Sequence, residues 1–338
     1  MRYSRQSILP QIGTEGQKKI SSARVAIVGI GALGSVSAQL CARAGVSFLR
    51  LIDRDVVEWS NLQRQVLFTE SDARESLAKA AAAKSHLGLV NSEIKIEAMV
   101  DDLNCSNVDE YLSDVDIVLD GTDNFETRYL LNDFSVKSKK PFVYGGAVGT
   151  KGMVYSVLAD DRPCLKCLFP ESPSSAGAQT CDLAGVLAST AHVTASIQFT
   201  QLLQIVTQGA GAVNAELLSF DVWSHQFKNI IASEFSEARC EACSNGQFKH
   251  LENFSSTQAL KLCGRNSVQI QSEKGHGLDW ENLTTRWPSG ASVQMGSDFA
   301  RVTVPDYELM LFKNGRVLVK GTEDVTMAKS VYARWIGC

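Results

Sequence analysis

Short apolar runs alternate with helix-like stretches through the first 150 residues. Arg24-Val25-Ala26-Ile27-Val28 is a β-branched run that ends at a glycine, and a helical stretch from Leu33 to Ala44 follows it. Phe48 to Asp53 reads as a second buried strand, residues 78–89 as an alanine-rich helix, and Glu93 to Val100 alternates in the two-residue period of a strand. Val115 to Asp120 and Pro141 to Gly145 supply two more strands. Strands separated by helices predict a doubly wound, mostly parallel α/β sheet. Beyond it, Met153 to Leu158 predicts a strand, the small polar residues 171–180 a mobile loop, and residues 185–206 an apolar helix. After Cys243 the texture changes. A polar link over residues 244–256 leads into a short α+β tail, where Asn314-Gly315 between apolar residues signals a hairpin. The expected organisation is a main domain over residues 1–245 and a small α+β extension over 246–338.

Composition narrows the function. Of the 338 residues, 44% are apolar and 21% charged, ordinary values for a chain with a real core. The net charge of −4 offers no broad basic field for a nucleic-acid backbone. No apolar run approaches the roughly 18 residues that span a bilayer, and the start Met1-Arg2-Tyr3-Ser4 has no secretory core. A cytoplasmic protein that uses neither nucleic acid nor membrane is expected. In that reducing compartment nine cysteines call for an explanation other than disulfides.

Gly29-Ile30-Gly31-Ala32-Leu33-Gly34 lies between a strand and a helix, and Asp53 follows 19 residues beyond Gly34. Such glycines let the backbone approach a phosphate or ribose, and the acid accepts hydrogen bonds from ribose hydroxyls, so a Rossmann-like nucleotide fold is expected. Asp53-Arg54-Asp55 then runs into Ser60-Asn61-Leu62-Gln63-Arg64-Gln65. A dehydrogenase has no general need for Asn, Arg and Gln here, whereas a triphosphate does, because charge builds on the phosphates as a bond to the α-phosphorus breaks. Lys79 offers a second positive charge. Asp120-Gly121-Thr122-Asp123-Asn124 sets Asp123 just past a strand end, where a carboxylate suits magnesium. Gly149-Thr150-Lys151-Gly152 lacks the spacing of a Walker loop.

Two CxxC pairs, Cys164 with Cys167 and Cys240 with Cys243, lie 73 residues apart, the pattern of a structural four-thiolate zinc site that joins distant segments. A redox CxxC usually needs one pair only. Cys181 precedes a helix, whose N-terminus favours the thiolate; a small packing residue is the other reading. None of the five histidines has ligand spacing.

Arg2-Tyr3-Ser4-Arg5-Gln6, the glycine turn, Asp53-x-Asp55, the Ser60–Gln65 run, Asp120 to Asn124 and the two CxxC pairs together resemble the ThiF/MoeB/HesA family of ubiquitin-activating-type adenylyltransferases, over about residues 1–245. The tail around Leu262 to Ile270 resembles an extension that some ThiF-type members carry. The resemblance implies that Ala32, Asp53, the segment Ser60, Asn61, Leu62, Gln63 and Arg64, Lys79, Asp123 and Asn124 contact ATP or its Mg2+. It implies a homodimer in which Arg5 reaches the partner's site, and a Cys181 that forms a covalent link in some members. Ala78 departs from the proline that members often carry before the lysine. The implied reaction is adenylation of a carboxylate, with a small ubiquitin-like carrier ending in Gly-Gly as acceptor. The alternative acceptor is a ribosomally made precursor peptide of an antibiotic; relatives of that kind add an N-terminal peptide-binding segment, and here the motifs begin at Arg2. An NAD-dependent dehydrogenase and a non-catalytic ATP-binding scaffold are the rivals from other classes.

Overall fold

The structure, a computed structural model, describes residues 2–158, 162–171, 184–235, 240–252, 259–262, 267–271, 287, 291–296, 299–313 and 315–336. The chain divides into two compact units, residues 1–254 and 255–338.

The first unit holds an eight-stranded sheet built from β1 (Arg24–Val28), β2 (Phe48–Ile52), β3 (Lys95–Met99), β4 (Ile117–Asp120), β5 (Phe142–Val148), β6 (Lys151–Val157), β7 (Glu216–Asp221) and β8 (Gln226–Ile231). The spatial order is β3-β2-β1-β4-β5-β6-β7-β8. The first five strands pair in parallel, and β5 to β8 pair antiparallel. Its helices are α1 (Ser4–Ser7), α2 (Gly13–Ile20), α3 (Ala32–Ala44), α4 (Glu70–Glu75), α5 (Lys79–Val90), α6 (Val108–Leu112), α7 (Phe125–Ser138), α8 (Leu165–Leu168), α9 (Ala188–Gln208) and α10 (Lys249–Glu252). The strands anticipated from the sequence are present within a few residues at each end. The doubly wound, mostly parallel sheet is therefore present as expected, and α9 occupies the predicted helix of residues 185–206.

Both sheet faces are covered, and the two-residue period of the strands sorts their side chains between them. Val25 and Ile27 of β1 join one core with Leu49, Leu51, Val143 and residues of α3, α5 and α9. Ala26 and Val28 join the other with Ile52, Val118, Tyr144 and residues of α6 and α7. Helix α3 stops at Gly45, whose φ of +85° is a left-handed C-terminal cap. The N-terminal segment closes the same end: Gln6 Nε2 donates to the Ala44 carbonyl at 3.2 Å, and Asn91 Nδ2 donates to the Tyr3 hydroxyl at 2.9 Å.

The second unit is a six-stranded antiparallel sheet with one helix. Its strands are β9 (Ala259–Leu262), β10 (Ser267–Gln271), β11 (Ser292–Met295), β12 (Phe299–Val304), β13 (Tyr307–Phe312) and β14 (Arg316–Lys320), in the order β11-β12-β13-β14-β10-β9. Helix α11 (Val325–Trp335) starts at Asp324, whose carboxylate accepts from Thr326 N and Met327 N. Ala328 and Val331 of α11 pack with Val268, Ile270, Leu309, Leu311, Val317 and Val319. The expected hairpin is the β13–β14 pair; Asn314 lies outside the described residues, and Gly315 takes φ +82°. No helix among the described residues is long and apolar enough to cross a membrane.

Candidate nucleotide and metal sites

The sheet order reverses direction between β1 and β4, where a doubly wound sheet opens a crevice at the strand ends. Both loops that line it are rich in glycine, and the reason is steric. A Cβ on Gly34 would lie 1.8 Å from the Gly29 carbonyl oxygen, one on Gly121 2.1 Å from the same atom, and one on Gly29 2.7 Å from the Gly121 backbone. These three glycines let the β1 and β4 loops touch. Gly31 is different. A Cβ there would come no closer than 3.9 Å to any protein atom, which leaves the turn open at the crevice. Gly31 also precedes α3, whose first N–H groups have no partner within the helix, an arrangement that suits an anion.

Asp53 ends β2 beside this turn. Its Oδ2 accepts from Ile30 N at 2.6 Å and its Oδ1 from Asp55 N at 2.7 Å, which leaves each oxygen a further lone pair. Burial pushes its carboxyl above the ordinary 3.8, against the pull of Lys79. Lys79 opens α5 and is buried; its Nζ lies 3.3 Å from Asp55 Oδ2, and its backbone N donates to the Asp55 carbonyl. Ala78 before it has φ −60°, the angle a proline ring imposes, so the missing proline does not change the path of the chain.

The Ser60–Gln65 run folds as a short 3-10 turn. Glu58 and Asn61 cap it reciprocally, with Asn61 Oδ1 accepting from Glu58 N at 3.0 Å. Leu62 packs against the core, and Gln63 is exposed. Arg64 is half-buried and donates to the Ser60 carbonyl at 2.8 Å. Gln65 closes the run, and its spacing in the sequence predicts no role for it. It is 4% exposed, its Nε2 lies 3.9 Å from the position of a Gly31 Cβ, and its Oε1 has no hydrogen-bond partner. An orphaned buried acceptor beside an open glycine cradle fits a ligand rich in donors and phosphate, as a nucleotide is.

Asp123 is exposed between β4 and α7, and Asn124 caps α7 by accepting from Thr127 N at 2.9 Å. Two residues without a role in the sequence reading hold this loop. Asp120, fully buried, accepts from Thr122 N and Thr122 Oγ1 and pairs with Arg128 at 3.0 Å. Arg128 also donates to the carbonyls of Thr122 and Gly145. Burial raises the Asp120 carboxyl. Burial alone would lower Arg128, but Asp120 holds the guanidinium above its ordinary value.

The four CxxC sulfurs meet. Cys164 precedes the single turn of α8 and Cys167 lies within it, and all four sulfurs lie within 4.8 Å of one another. Neighbouring separations are 3.9, 3.6 and 3.5 Å. Disulfide sulfurs bond at about 2.05 Å. A tetrahedral zinc with bonds of about 2.3 Å spaces its sulfurs about 3.8 Å apart, so the cluster fits that ion. Hydrogen bonds within the cluster lower the Cys240 and Cys243 thiols and raise those of Cys164 and Cys167, so the four sulfurs titrate as one coupled set.

Two expected residues stand apart. Arg5 is exposed on α1, at the end of the sheet where α3 finishes, whereas the crevice lies where α3 begins. The thirteen residues of α3 separate these ends by about 20 Å. Cys181 and the loop of residues 172–180 lie outside the described residues.

Several known proteins are similar to this chain. The sulfur carrier protein ThiS adenylyltransferase of Bacillus subtilis (strain 168) is 40% identical over 337 residues, 99% of each chain. The adenylyltransferase and sulfurtransferase MOCS3 of Culex quinquefasciatus is 37% identical over 79% of this chain, which spans 60% of that protein's length. The SAMP-activating enzyme E1 of Haloferax volcanii is 34% identical over 77% of this chain and 95% of its own. Among solved structures, Escherichia coli MccB with ATP superposes with a TM-score of 0.62 at 21% identity, over 72% of this chain and 75% of that one, a likeness of fold. With residues 3–242 matching the family's pattern as well, the chain belongs to the ThiF family.

Proposed function

We propose that the protein adenylates the C-terminal carboxylate of a small ubiquitin-like sulfur carrier ending in Gly-Gly. The observation that carries this reading is the end-to-end similarity to the Bacillus subtilis ThiS adenylyltransferase, which includes the second unit. The likeness to MccB supports the fold and does not favour a precursor peptide as acceptor.

ATP is the co-substrate. The open cradle at Gly31, the orphaned Gln65 Oε1 and the buried Asp53 support the crevice between β1 and β4 as its site. The carrier carboxylate attacks the α-phosphorus, the bond to the bridging oxygen breaks, and pyrophosphate leaves. Lys79 and Arg64 neutralise the charge that builds on the phosphates. Asp123 would hold Mg2+, which supplies charge neutralisation at the phosphates when bound. Arg5 is far from the crevice of its own chain, which supports a homodimer in which it completes the partner's site. The cysteine cluster would hold a structural Zn2+. An ATP-consuming enzyme that keeps thiolates for a metal fits the reducing cytoplasm. Cys181 would take the activated carrier covalently in a later sulfur-transfer step.

The test is pyrophosphate exchange into ATP with a Gly-Gly carrier, followed by intact-mass analysis of the carrier. Exchange stops when the last glycine is deleted, and Asp123→Ala and Arg64→Ala each lower it on the order of a hundredfold or more. Wild-type exchange in either variant overturns that residue's role. A mass change confined to an internal carboxylate overturns the choice of acceptor.

A further inference from the structure

Strands β4 and β5 fork at the crevice. Their pairing runs through Val118–Phe142 and Leu119–Val143, after which β5 continues along β6 as far as Val148. Two buried side chains fill the fork, one from each face of the sheet. From the α7 face Arg128 reaches Asp120, Thr122 and Gly145. From the α9 face comes Gln198, which is fully buried. Its Nε2 donates to the Asp120 carbonyl at 2.9 Å and to the Val143 carbonyl at 3.0 Å, one hydrogen to each strand. Only the nitrogen of the amide can serve two carbonyls, so its orientation is fixed by chemistry. Its Oε1 is left without a partner, a cost the fold accepts to keep the two donated bonds. There is no slack around the group: a Cβ on Gly145 would lie 2.4 Å from Gln198 Cδ.

Asp120 is the last residue of β4, and Gly121 to Asn124 follow it directly. We propose that Gln198 is a positioning residue for the adenylation site, fixing from below the strand end that presents Asp123 to the metal and phosphates. The inference rests on the adenylation reading and adds a residue to it. Arg128 fixes the loop through the Asp120 side chain, whereas Gln198 fixes the same residue through its backbone. With both in place the loop is clamped from the two faces of the sheet. A displacement near 1 Å at a reacting centre can cost on the order of a hundredfold in rate, so a clamp of two hydrogen bonds is enough to matter.

The test uses Gln198→Met, which keeps length and apolar volume and removes both bonds. Pyrophosphate exchange is measured across ATP and Mg2+ concentrations, beside the melting temperature and the bound zinc. The expected result is a kcat at least tenfold lower and a severalfold higher Mg2+ requirement, in a protein that melts within a few degrees of wild type. An unchanged kcat and Mg2+ requirement in folded protein overturns the proposal, because a residue that only packs would move the melt alone. Gln198→Glu covers the case in which the methionine variant does not fold. A protonated carboxyl donates one of the two bonds, and a carboxylate donates none and repels both carbonyls. The ratio of its rate to wild type therefore falls as pH rises from about 6 to about 9, the range in which buried glutamates ionise. A flat ratio overturns the proposal. Wild-type protein that shows no exchange with any Gly-Gly carrier overturns the adenylation reading, and this inference with it.

Discussion

Two alanine substitutions three residues apart separate the glycines that serve the fold from the one proposed to face the nucleotide. In Gly34→Ala the new Cβ lies 1.8 Å from the Gly29 carbonyl oxygen and 2.9 Å from its carbon. Both are backbone atoms, and the loop cannot yield without parting the β1 turn from the β4 turn. An overpacked core costs about 1–3 kcal/mol, and a contact this short against backbone belongs at or above the upper end. In Gly31→Ala the nearest protein atom is 3.9 Å away, so no protein atom blocks the methyl group. Stability should fall by clearly less than in Gly34→Ala. The methyl group projects into the proposed nucleotide site, and ATP affinity should fall at least tenfold. Urea denaturation and calorimetric titration with ATP read the two quantities separately. Wild-type ATP affinity in Gly31→Ala would refute the assignment of the cradle. Equal destabilisation by both substitutions would refute the steric argument behind it.

Metal analysis should find about one zinc per chain, and a serine at any of Cys164, Cys167, Cys240 or Cys243 should lower the melting temperature below that of wild type; purified, chelator-free protein without zinc contradicts this. Arg128→Met strands the Asp120 carboxylate in the core and should cost about 3–5 kcal/mol in urea, most of which returns when Asp120→Asn is added; a double variant no more stable than the single one breaks the argument. Acid stability has a definite sign. Arg50 pulls Asp114 below the ordinary 3.8, and Lys95 with Arg50 pulls Glu97 below 4.5. Their contribution is complete above those ordinary values and disappears as pH falls through the lowered ones. Both carboxylates are partly exposed, so the sum is on the order of 1 kcal/mol, and Arg50→Gln should flatten the melting curve below about pH 4.

The parallel half of the sheet was legible because β1, β2, β4 and β5 are mostly apolar runs bounded by glycine or an acid, the pattern of strands buried on both faces, and the edge strand β3 alternates apolar and polar residues. The glycine turn, Asp53 and the four cysteines were legible because each obeys a spacing imposed by chemistry. Other parts carry no such mark. The β7–β8 hairpin turns at His225, a non-glycine residue with φ +55°, so no turn dipeptide announces it. Helix α7 buries Arg128, Asn132 and Asp133 along with its apolar residues, and this mixture hides its amphipathic period. Gln65, in a loop, and Gln198, on α9, are polar residues that sequence alone gives to solvent. Only the fork between β4 and β5 and the open face of Gly31 reveal why they are buried.

The cysteine cluster changes what connects to what. Cys164 and Cys167 belong to one stretch of chain, and Cys240 and Cys243 to another, with α9, β7 and β8 strung between them. A metal bound across the four sulfurs closes that stretch into a ring. The backbone can then be severed inside the ring, for instance at the exposed Trp223 in the β7–β8 turn, without freeing either piece. The half that carries the nucleotide crevice and the half that carries the second unit would still travel as one particle, held by thiolate bonds where the peptide bond is gone, and would part only when the metal is stripped away.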